Sequence, residues 1–343
     1  MSLFNLARPL IFRLDPERAH GLTIGVLKAL PAGTVGFDPR LASSVAGLTF
    51  PSPVGLAAGF DKDAEVFGPL LRLGFGFVEV GTITPRPQPG NSRPRLFRLT
   101  EDKAVINRFG FNSQGQAEAL PRLRARARSG IVGVNIGANK NSVDRIADYA
   151  EGIRRMAPVA DYLTVNISSP NTPGLRQLQD EAVLRELLAA VREARPLGGP
   201  PVFLKVAPDL GEGEPRQIVR AAVDHGIDGL IVSNTTISRP ALRSIHANET
   251  GGLSGAPLKP LALDALRRFR AETGGALPLI GVGGIGSAED AWERIRAGAN
   301  LIQLYSALVY EGPGLARRIA SGLADLLDRS GHATIAEAVG TSA

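Results

Sequence analysis

The chain has 343 residues, of which 44% are hydrophobic and 21% charged, a composition typical of a globular protein with a large core. The formal net charge is +6, but Arg and Lys are spread along the whole chain and Trp and Tyr are few, so we expect no nucleic-acid partner. Because the chain has no cysteine, disulfides, thiolate nucleophiles and cysteine-ligated zinc or iron–sulfur centres are excluded, and we expect no metal site.

Two short amphipathic helices are predicted at the N-terminus. Apolar residues recur on one helical face over residues 3–14 and again over residues 19–30, with Asp15 as an N-cap and Pro16 as the first residue of the second helix. Such a hairpin can pack on the protein's own core or lie in a membrane interface, and the Arg and Lys residues around it modestly favour the membrane. No secretory signal and no apolar run of about 18 residues is recognisable, so we expect no membrane-spanning segment.

From residue 50 onward, short β-branched runs alternate with helical patterns. This alternation predicts a parallel (β/α)8 TIM barrel over residues 41–343, preceded by the two-helix extension over residues 1–40, while a doubly wound open sheet is the alternative. We also expect a small hairpin at residues 43–50 to close the barrel floor, and a long binding loop at residues 83–130 with a helix near 117–128. The predicted strands are 54–58, 77–80, 132–136, 162–166, 202–206, 229–233, 279–282 and 301–304.

Polar residues and glycines lie in or just after every predicted strand, near its carboxyl end. In a parallel barrel these ends open at one face, where such barrels carry out chemistry. One such residue alone is typical of a turn, but a contribution from all eight strands predicts a single site at the barrel mouth. In strand order the residues are Gly59 and Lys62, Thr82, Asn135, Asn166 with Ser169 and Asn171, Lys205, Asn234 and Thr235, Gly283 and Gly284, and Tyr305 and Ser306.

The residue types at this mouth indicate which ligands it binds. The glycine-rich run at residues 281–286 follows the seventh strand and opens a helix, which is typical of a phosphate site. A Rossmann motif would open the fold instead of coming this late. Asparagine side chains suit a flat, amide-rich ligand such as a pyrimidine or a flavin, although asparagine is also common in turns.

Charged and nucleophilic side chains at the mouth indicate the reaction. Lys62 and Lys205 can pair with a substrate carboxylate or with negative charge on a reduced flavin. Histidine is scarce there and cysteine is absent, so Ser169 in the Ser-Ser-Pro-Asn loop is the leading candidate for proton transfer.

In its longest motifs the chain resembles dihydroorotate dehydrogenase. These are AAGFDKD at 57–63, NRFGFN at 107–112, NISSPNTPG at 166–174 and GGLSG at 251–255, and shorter matches continue the resemblance over nearly the whole chain. LDPERAH at 14–20 resembles the extension of the membrane-associated, quinone-linked class. Ser169 supports that class as well, because the cytosolic classes use a cysteine as base.

The resemblance implies oxidation of (S)-dihydroorotate to orotate in pyrimidine biosynthesis, with Ser169 as base, FMN as hydride acceptor and a quinone as final acceptor. The implied FMN-binding residues are Ala58, Gly59, Phe60, Asp61, Lys62, Thr82, Asn135, Asn166, Lys205, Ser233, Gly255, Gly284, Tyr305 and Ser306. The implied substrate-binding residues are Lys62, Asn107, Arg108, Phe109, Gly110, Phe111, Asn166, Asn171, Asn234 and Thr235. The implied quinone route is formed by His20, Arg98 and Tyr305.

The same resemblance implies peripheral attachment to the cytoplasmic face of the inner membrane, without an iron–sulfur partner subunit. Two other functions remain open at this point. One is another flavin barrel such as a tRNA dihydrouridine synthase, which only the basic charge supports. The other is a non-catalytic protein that binds lipid surfaces, and the presence of Ser169, Lys62 and Lys205 together argues against it.

Overall fold

The structure, a computed structural model, describes residues 3–342; the side chains of Leu3, part of the first predicted apolar stripe, and of Asn5 lie outside that description. The predicted helices are found with ends shifted by up to four residues. The α-helices are α1 (Leu3–Ile11), α2 (Pro16–Lys28), α3 (Phe67–Arg72), α4 (Gln116–Arg124), α5 (Arg145–Met156), α6 (Glu181–Ala194), α7 (Glu214–Asp224), α8 (Lys259–Thr273), α9 (Ala288–Arg296), α10 (Ala307–Glu311) and α11 (Leu315–Ser330).

The strands are β1 (Ser43–Val45), β2 (Leu48–Phe50), β3 (Val54–Leu56), β4 (Phe77–Ile83), β5 (Leu96–Leu99), β6 (Ala104–Asn107), β7 (Ile131–Ile136), β8 (Tyr162–Asn166), β9 (Val202–Val206), β10 (Gly229–Val232), β11 (Gly252–Gly255), β12 (Leu279–Val282) and β13 (Leu301–Leu304). Eight of them close a parallel barrel in the order β3, β4, β7, β8, β9, β10, β12, β13. The predicted TIM barrel is therefore confirmed, and the open doubly wound sheet is wrong. The barrel strands were recognisable because strands covered on both faces consist of nearly continuous apolar runs.

The predicted floor hairpin is confirmed. Strands β1 and β2 pair in antiparallel fashion, with Ser43 opposite Phe50. Val45 and Phe50 pack beneath a layer of rings inside the barrel, so that the amino-terminal end of the barrel is plugged by apolar side chains.

Three aromatic rings fill this lower layer, and each lies against a glycine of a neighbouring strand. A Cβ atom added at any of these glycines would overlap the facing ring, so the barrel interior accepts the rings only where a side chain is missing. The facing pairs are Gly55 with Phe77, Gly133 with Tyr162, and Gly229 with Phe203.

A three-stranded antiparallel sheet beside the barrel mouth was not predicted. It consists of β5, β6 and β11, with β6 in the centre. Strands β5 and β6 lie within the long segment expected to be a loop, and β11 joins them from a distant part of the sequence. Four-residue strands carry little periodicity, and pairing between distant segments leaves no local signal.

The N-terminal hairpin is confirmed, including its cap. The carboxylate of Asp15 accepts a hydrogen bond from the N–H of Arg18 at 2.9 Å, and Pro16 begins α2. Leu27 is buried on the barrel side, whereas Leu10 and Val26 are 66% and 64% exposed. Of the two alternatives, packing on the protein's own core therefore describes one side of α2, and the exposed apolar side chains leave the membrane interface open for the rest. No helix within residues 3–342 is long and apolar enough to cross a bilayer.

The hairpin is attached to the loop before β5 by a buried ion pair. Arg95 binds both carboxylate oxygens of Glu17, at 2.8 and 3.1 Å, and Arg93 adds a third contact at 3.0 Å. Arg95 also donates to the carbonyls of Pro89 and Asn91, so that the position of α2 depends on the shape of this loop.

Candidate active site

A large cavity of about 1010 Å³ occupies the mouth of the barrel. At its inner end it is lined by polar groups of the strand ends, including Asn166 and Lys205. At its outer end it continues between α1 and α2, where Ile11, Leu22 and Val26 line it. The cavity therefore joins a polar chamber inside the barrel to an apolar opening in the hairpin.

The floor of the polar chamber is a connected hydrogen-bond network. Thr82 Oγ1 donates to Asn135 Oδ1 at 2.7 Å, and Asn166 Nδ2 donates to both Thr82 Oγ1 and Asn135 Oδ1, at 3.1 and 3.2 Å. Asn135 Nδ2 donates to the buried carboxylate of Glu79 at 2.8 Å. Asn234 extends the network across the chamber by donating to Ser168 Oγ at 2.9 Å. Each amide is thus held in one orientation.

Two lysines supply positive charge to the chamber. Lys62 Nζ donates to the carbonyl of Gly59 at 2.7 Å and lies 4.5 Å from the ring centre of Phe109. Burial lowers the pKa of Lys62 to about 8. Burial also lowers the pKa of Lys205, opposed by attraction to Glu79, and Lys205 Nζ has no hydrogen-bond acceptor among residues 3–342. A ligand with negative charge would satisfy both ammonium groups.

The two serines after β8 have different surroundings. Ser168 Oγ donates to Asn166 Oδ1 at 2.8 Å and belongs to the floor network. Ser169 lines the cavity and is 6% exposed, and its Oγ accepts a hydrogen bond only from the N–H of Asn171, at 3.3 Å, among the described residues. The proton of Ser169 is therefore uncommitted, and its oxygen can face a ligand.

One edge of the chamber has the properties of a phosphate site. The N–H groups of Gly284, Ile285 and Ser306 line the cavity and have no acceptor within the part of the chain that the structure describes. Gly284 has a φ of +71°, and a Cβ there would collide with the backbone of Lys259. Unpaired N–H groups ahead of α9, with a backbone that no side chain obstructs, fit an anionic phosphate.

The outer end of the cavity contains a row of aromatic contacts. The ring of His20 in α2 meets Phe60 edge-on at 5.2 Å, and Phe60 meets Tyr305 in the same manner at 5.5 Å. Burial, together with the nearby Lys62, lowers the pKa of His20 to about 3, so this imidazole is neutral. Arg98 donates to two main-chain carbonyls of the hairpin, at 3.1 and 2.7 Å, and so ties the opening to β5.

Most of the predicted site residues line this cavity, and three do not. Asn135 lies beneath the chamber wall and acts through Thr82 and Asn166. The carboxylate of Asp61 accepts hydrogen bonds from two backbone N–H groups, those of residues 65 and 66, and shapes the loop after β3. Arg108 turns away to an ion pair with Glu249 at 2.7 Å. The predicted residues that do line the cavity are His20, Ala58, Gly59, Phe60, Lys62, Thr82, Arg98, Asn107, Phe109, Gly110, Phe111, Asn166, Ser169, Asn171, Lys205, Ser233, Asn234, Thr235, Gly255, Gly284, Tyr305 and Ser306.

Two contributors to this region were missed. Ser254 Oγ accepts a hydrogen bond from Ser306 Oγ at 2.8 Å beside the phosphate-like edge, and its motif GGLSG was the available signal. Glu79 lies under the floor, and its signal was a single carboxylate inside the apolar run of β4, since glutamate is rarely buried without partners. No group of three or more side chains suited to a metal ion occurs among the described residues.

Comparison with known proteins gives consistent matches. The family model of dihydroorotate dehydrogenase matches residues 40–327. The dihydroorotate dehydrogenase (quinone) of Erythrobacter litoralis is 64% identical over 341 residues, covering 99% of each chain. The protein of the same name from Novosphingobium aromaticivorans is 61% identical, covering 99% of this chain and all of its own. A crystal structure of DHODH from Eimeria tenella in complex with ferulenol superposes with a TM-score of 0.91 at 43% identity, covering 95% of each chain.

Proposed function

The chain belongs to the dihydroorotate dehydrogenase family, and we propose that it is a quinone-dependent member that oxidises dihydroorotate to orotate in pyrimidine biosynthesis. The observation that carries this function is the continuity of the cavity. A polar chamber with Ser169 and Lys62 suits a small charged substrate, whereas the apolar opening between α1 and α2 suits a hydrophobic electron acceptor. A flavin between the two ends would exchange electrons with both.

FMN fits this chamber better than a dinucleotide. The unpaired N–H groups of Gly284, Ile285 and Ser306 form one phosphate site, and the strand ends beside it provide the amide groups that a flavin ring can pair with. Lys205 would face negative charge on the reduced ring. When bound, the flavin accepts the hydride that leaves one carbon of the substrate.

The protein's own residues bind the substrate and move its proton. Lys62 pairs with the substrate carboxylate, and the amides of Asn107, Asn171 and Asn234 bind the polar edge of its ring. Ser169 Oγ takes the proton from the carbon next to the one that loses hydride, while its own hydroxyl proton passes to solvent in the cavity. The floor network fixes the orientation of these groups before the substrate arrives, which lowers the entropic cost of reaction.

The quinone reaches the chamber through the hairpin, along the side lined by His20, Arg98 and Tyr305. Leu6, which is 65% exposed, is one of a row of exposed apolar side chains on α1 and α2 that would enter the lipid interface, and Arg residues beside them would face anionic headgroups. These side chains support peripheral attachment to a membrane, and we propose the cytoplasmic face of the inner membrane, as the resemblance implies. A quinone dissolved in the bilayer then enters without crossing water.

Anaerobic spectroscopy of the purified protein tests this function. We expect a yellow protein whose visible flavin absorbance is bleached by dihydroorotate and restored by a quinone. The released cofactor should be FMN by mass. A protein that binds flavin but is bleached only by a reduced nicotinamide would instead belong to another class of flavin barrel and would refute the proposal.

A further inference from the structure

The carboxylate of Glu79 lies inside the barrel, between the plug of rings and the chamber floor, and is fully buried. It accepts four hydrogen bonds and donates none. Asn135 Nδ2 binds Oε1 at 2.8 Å. The remaining donors bind Oε2 and are Gln303 Nε2 at 2.8 Å, Tyr162 OH at 3.1 Å and Thr164 Oγ1 at 3.2 Å.

These partners suit a carboxylate that only accepts. A carboxylate offers about four lone-pair positions, whereas an amide nitrogen in place of either oxygen would face the donor-only amide nitrogen of Asn135 or of Gln303. Burial and the neighbouring carboxylate of Glu79 raise the pKa of Tyr162 well above its usual value, so its hydroxyl remains a donor. The hydrogen-bond direction at Glu79 is therefore fixed.

The hydrogen-bond direction at Glu79 also determines how the amides and hydroxyls of the chamber floor are oriented. Because Asn135 must turn Nδ2 toward Glu79, its Oδ1 faces the chamber and accepts from Thr82 and Asn166. Thr82 then has only lone pairs left for Asn166 Nδ2, which leaves Asn166 Oδ1 to accept from Ser168 and Asn234. No group in this series can reverse without placing two donors or two acceptors face to face.

On the basis of the proposed function, we infer that Glu79 is a positioning residue that sets which chamber groups donate and which accept hydrogen bonds toward the flavin and the substrate. It acts through Asn135 and touches neither ligand. Its negative charge also lies close enough to Lys205 to favour the protonated ammonium. Glu79 at one end of the series and the N–H of Ser168, which donates to Asn166 Oδ1 at 3.3 Å, at the other end hold the chamber in one donor–acceptor pattern toward a flat ligand.

The substitution Glu79→Gln tests this inference, since it keeps the volume and reverses part of the pattern. The variant should still bind FMN, because the phosphate edge lies on other strands. Loss of a charge-assisted hydrogen bond changes a rate or binding constant by roughly tenfold to a hundredfold. We expect reduction by dihydroorotate to slow by that factor. The ratio of affinities for oxidised and reduced flavin should change by at least about tenfold, which is about 30 mV in midpoint potential for a two-electron couple.

Two further variants separate orientation from packing. Glu79→Gln combined with Asn135→Asp returns a carboxylate to the network, and that carboxylate can accept from Gln at position 79 and from Thr82 and Asn166 together. We expect it to recover most of the lost rate. Thr164→Val removes a donor from the same carboxylate without disturbing Asn135, and its midpoint potential should stay within about 10 mV of the wild type, roughly a twofold change.

The outcomes are distinct. A Glu79→Gln protein with normal potential and rate would overturn the inference, and so would a Thr164→Val protein with the same defect, since the carboxylate would then serve packing alone. A double variant no better than Glu79→Gln, or failure of both to fold, would overturn it too. The potentials are measured with a chemical reductant, so they remain informative even if dihydroorotate does not reduce the wild-type protein and the proposed function itself fails.

Discussion

The barrel interior buries polar side chains, whereas the N-terminal hairpin exposes apolar ones, and both arrangements are uncommon in proteins. The two regions offset the energetic cost in opposite ways. Inside the barrel, Glu79 and Asn135 are fully buried, and both find hydrogen-bond partners within the chain. On the hairpin, Leu10, Leu22 and Val26 are at least 60% exposed, and no described residue covers them. The comparison teaches that the floor of the chamber is satisfied within the protein, whereas the exposed face of the hairpin leaves apolar side chains that a proposed membrane surface would cover.

The largest effect is expected on the rate of flavin reduction when Ser169 in the chamber is replaced. It would show that the reaction with dihydroorotate depends on the chamber and not on the hairpin. Ser169→Ala removes the proposed base but no hydrogen bond except the one from Asn171 N among the described residues. Flavin reduction at saturating dihydroorotate should slow by about a hundredfold to ten-thousandfold, while FMN and orotate remain bound. In the wild type this rate should rise with pH, because a hydroxyl is a weak base. Stopped-flow bleaching measures both.

Ser168→Ala is the matched comparison for that experiment. Its hydroxyl belongs to the floor network, so we expect a loss of about tenfold, from disturbed geometry at Asn166. If Ser168→Ala were the slower of the two variants, the assignment of the base to Ser169 would be wrong.

A second prediction concerns the charge of the chamber. Lys62→Met should weaken orotate binding by about tenfold to a hundredfold, because a charge-assisted pair is lost while the volume is kept. The pKa of Lys62 in the free protein is about 8, so only below that pH is the ammonium fully charged. Orotate affinity should therefore be constant at lower pH and fall as the pH rises above 8, with no such fall in Lys62→Met. Orotate affinity is measured by titrating the flavin spectrum with orotate at each pH. Equal pH profiles in the wild type and in Lys62→Met would mean that the orotate carboxylate does not pair with Lys62.

The third prediction tests whether the hairpin needs a membrane. Leu10→Glu combined with Val26→Glu should weaken binding to anionic vesicles by at least about tenfold and slow reduction of long-tailed quinones. Bleaching by dihydroorotate should be unchanged, because neither side chain lies in the chamber. Flotation with vesicles measures the first effect.

The chain offers a matched control for this variant. Val143 and Leu197 are fully exposed apolar residues on other parts of the surface. Glutamate at both positions adds the same charge, and vesicle binding should then be within about twofold of the wild type. Equal weakening by the two variants would mean that net charge, and not the face of the hairpin, decides attachment.

The smallest expected effect concerns how firmly the hairpin is docked. Burial alone would raise the pKa of Glu17, but hydrogen bonds from Arg95 and Arg93 outweigh it and lower the pKa. The ion pair thus contributes stability at neutral pH that is lost as the pH falls through the lowered pKa of Glu17. Glu17→Gln should cost about 1 kcal/mol of docking, and proteolysis between α2 and the barrel should be roughly fivefold faster at pH 7.

Lys28→Gln provides the comparison, because Lys28 forms a more exposed ion pair with Glu65. We expect less than a twofold change in the proteolysis rate, as is usual for surface pairs. A larger change in Lys28→Gln than in Glu17→Gln would show that the hairpin is held mainly at its far end.

The sequence was sufficient for the barrel and for most of the chamber, for a shared physical reason. Parallel strands such as β8 and β9 are buried on both faces and appear as nearly continuous apolar runs, and the polar residue at or next to the end of each run lies at the mouth. Arg108 and Asp61 illustrate the limit. Each lies within a motif of the site, yet its partner is Glu249 in one case and local backbone in the other, and neither partner is deducible from spacing.

What the sequence could not provide was long-range pairing. β11 joins β6 across more than a third of the chain, and Glu79 draws its four donors from three other strands. Such contacts are decided by the closed barrel and not by local propensity. The exposed side of the hairpin was ambiguous for the related reason that amphipathic spacing shows which face is apolar but not what covers it.

The lower layer of the barrel, with its three glycine–ring pairs, limits which substitutions the protein can tolerate. Any side chain at Gly55, Gly133 or Gly229 would overlap a ring of the plug, so these positions tolerate no random substitution. At the mouth the restriction falls on glycines such as Gly284 and Gly255, whereas the side chains that line the cavity end in open space. Directed evolution toward a new acceptor or a modified pyrimidine should therefore randomise the rim and the hairpin and leave the base of the barrel untouched.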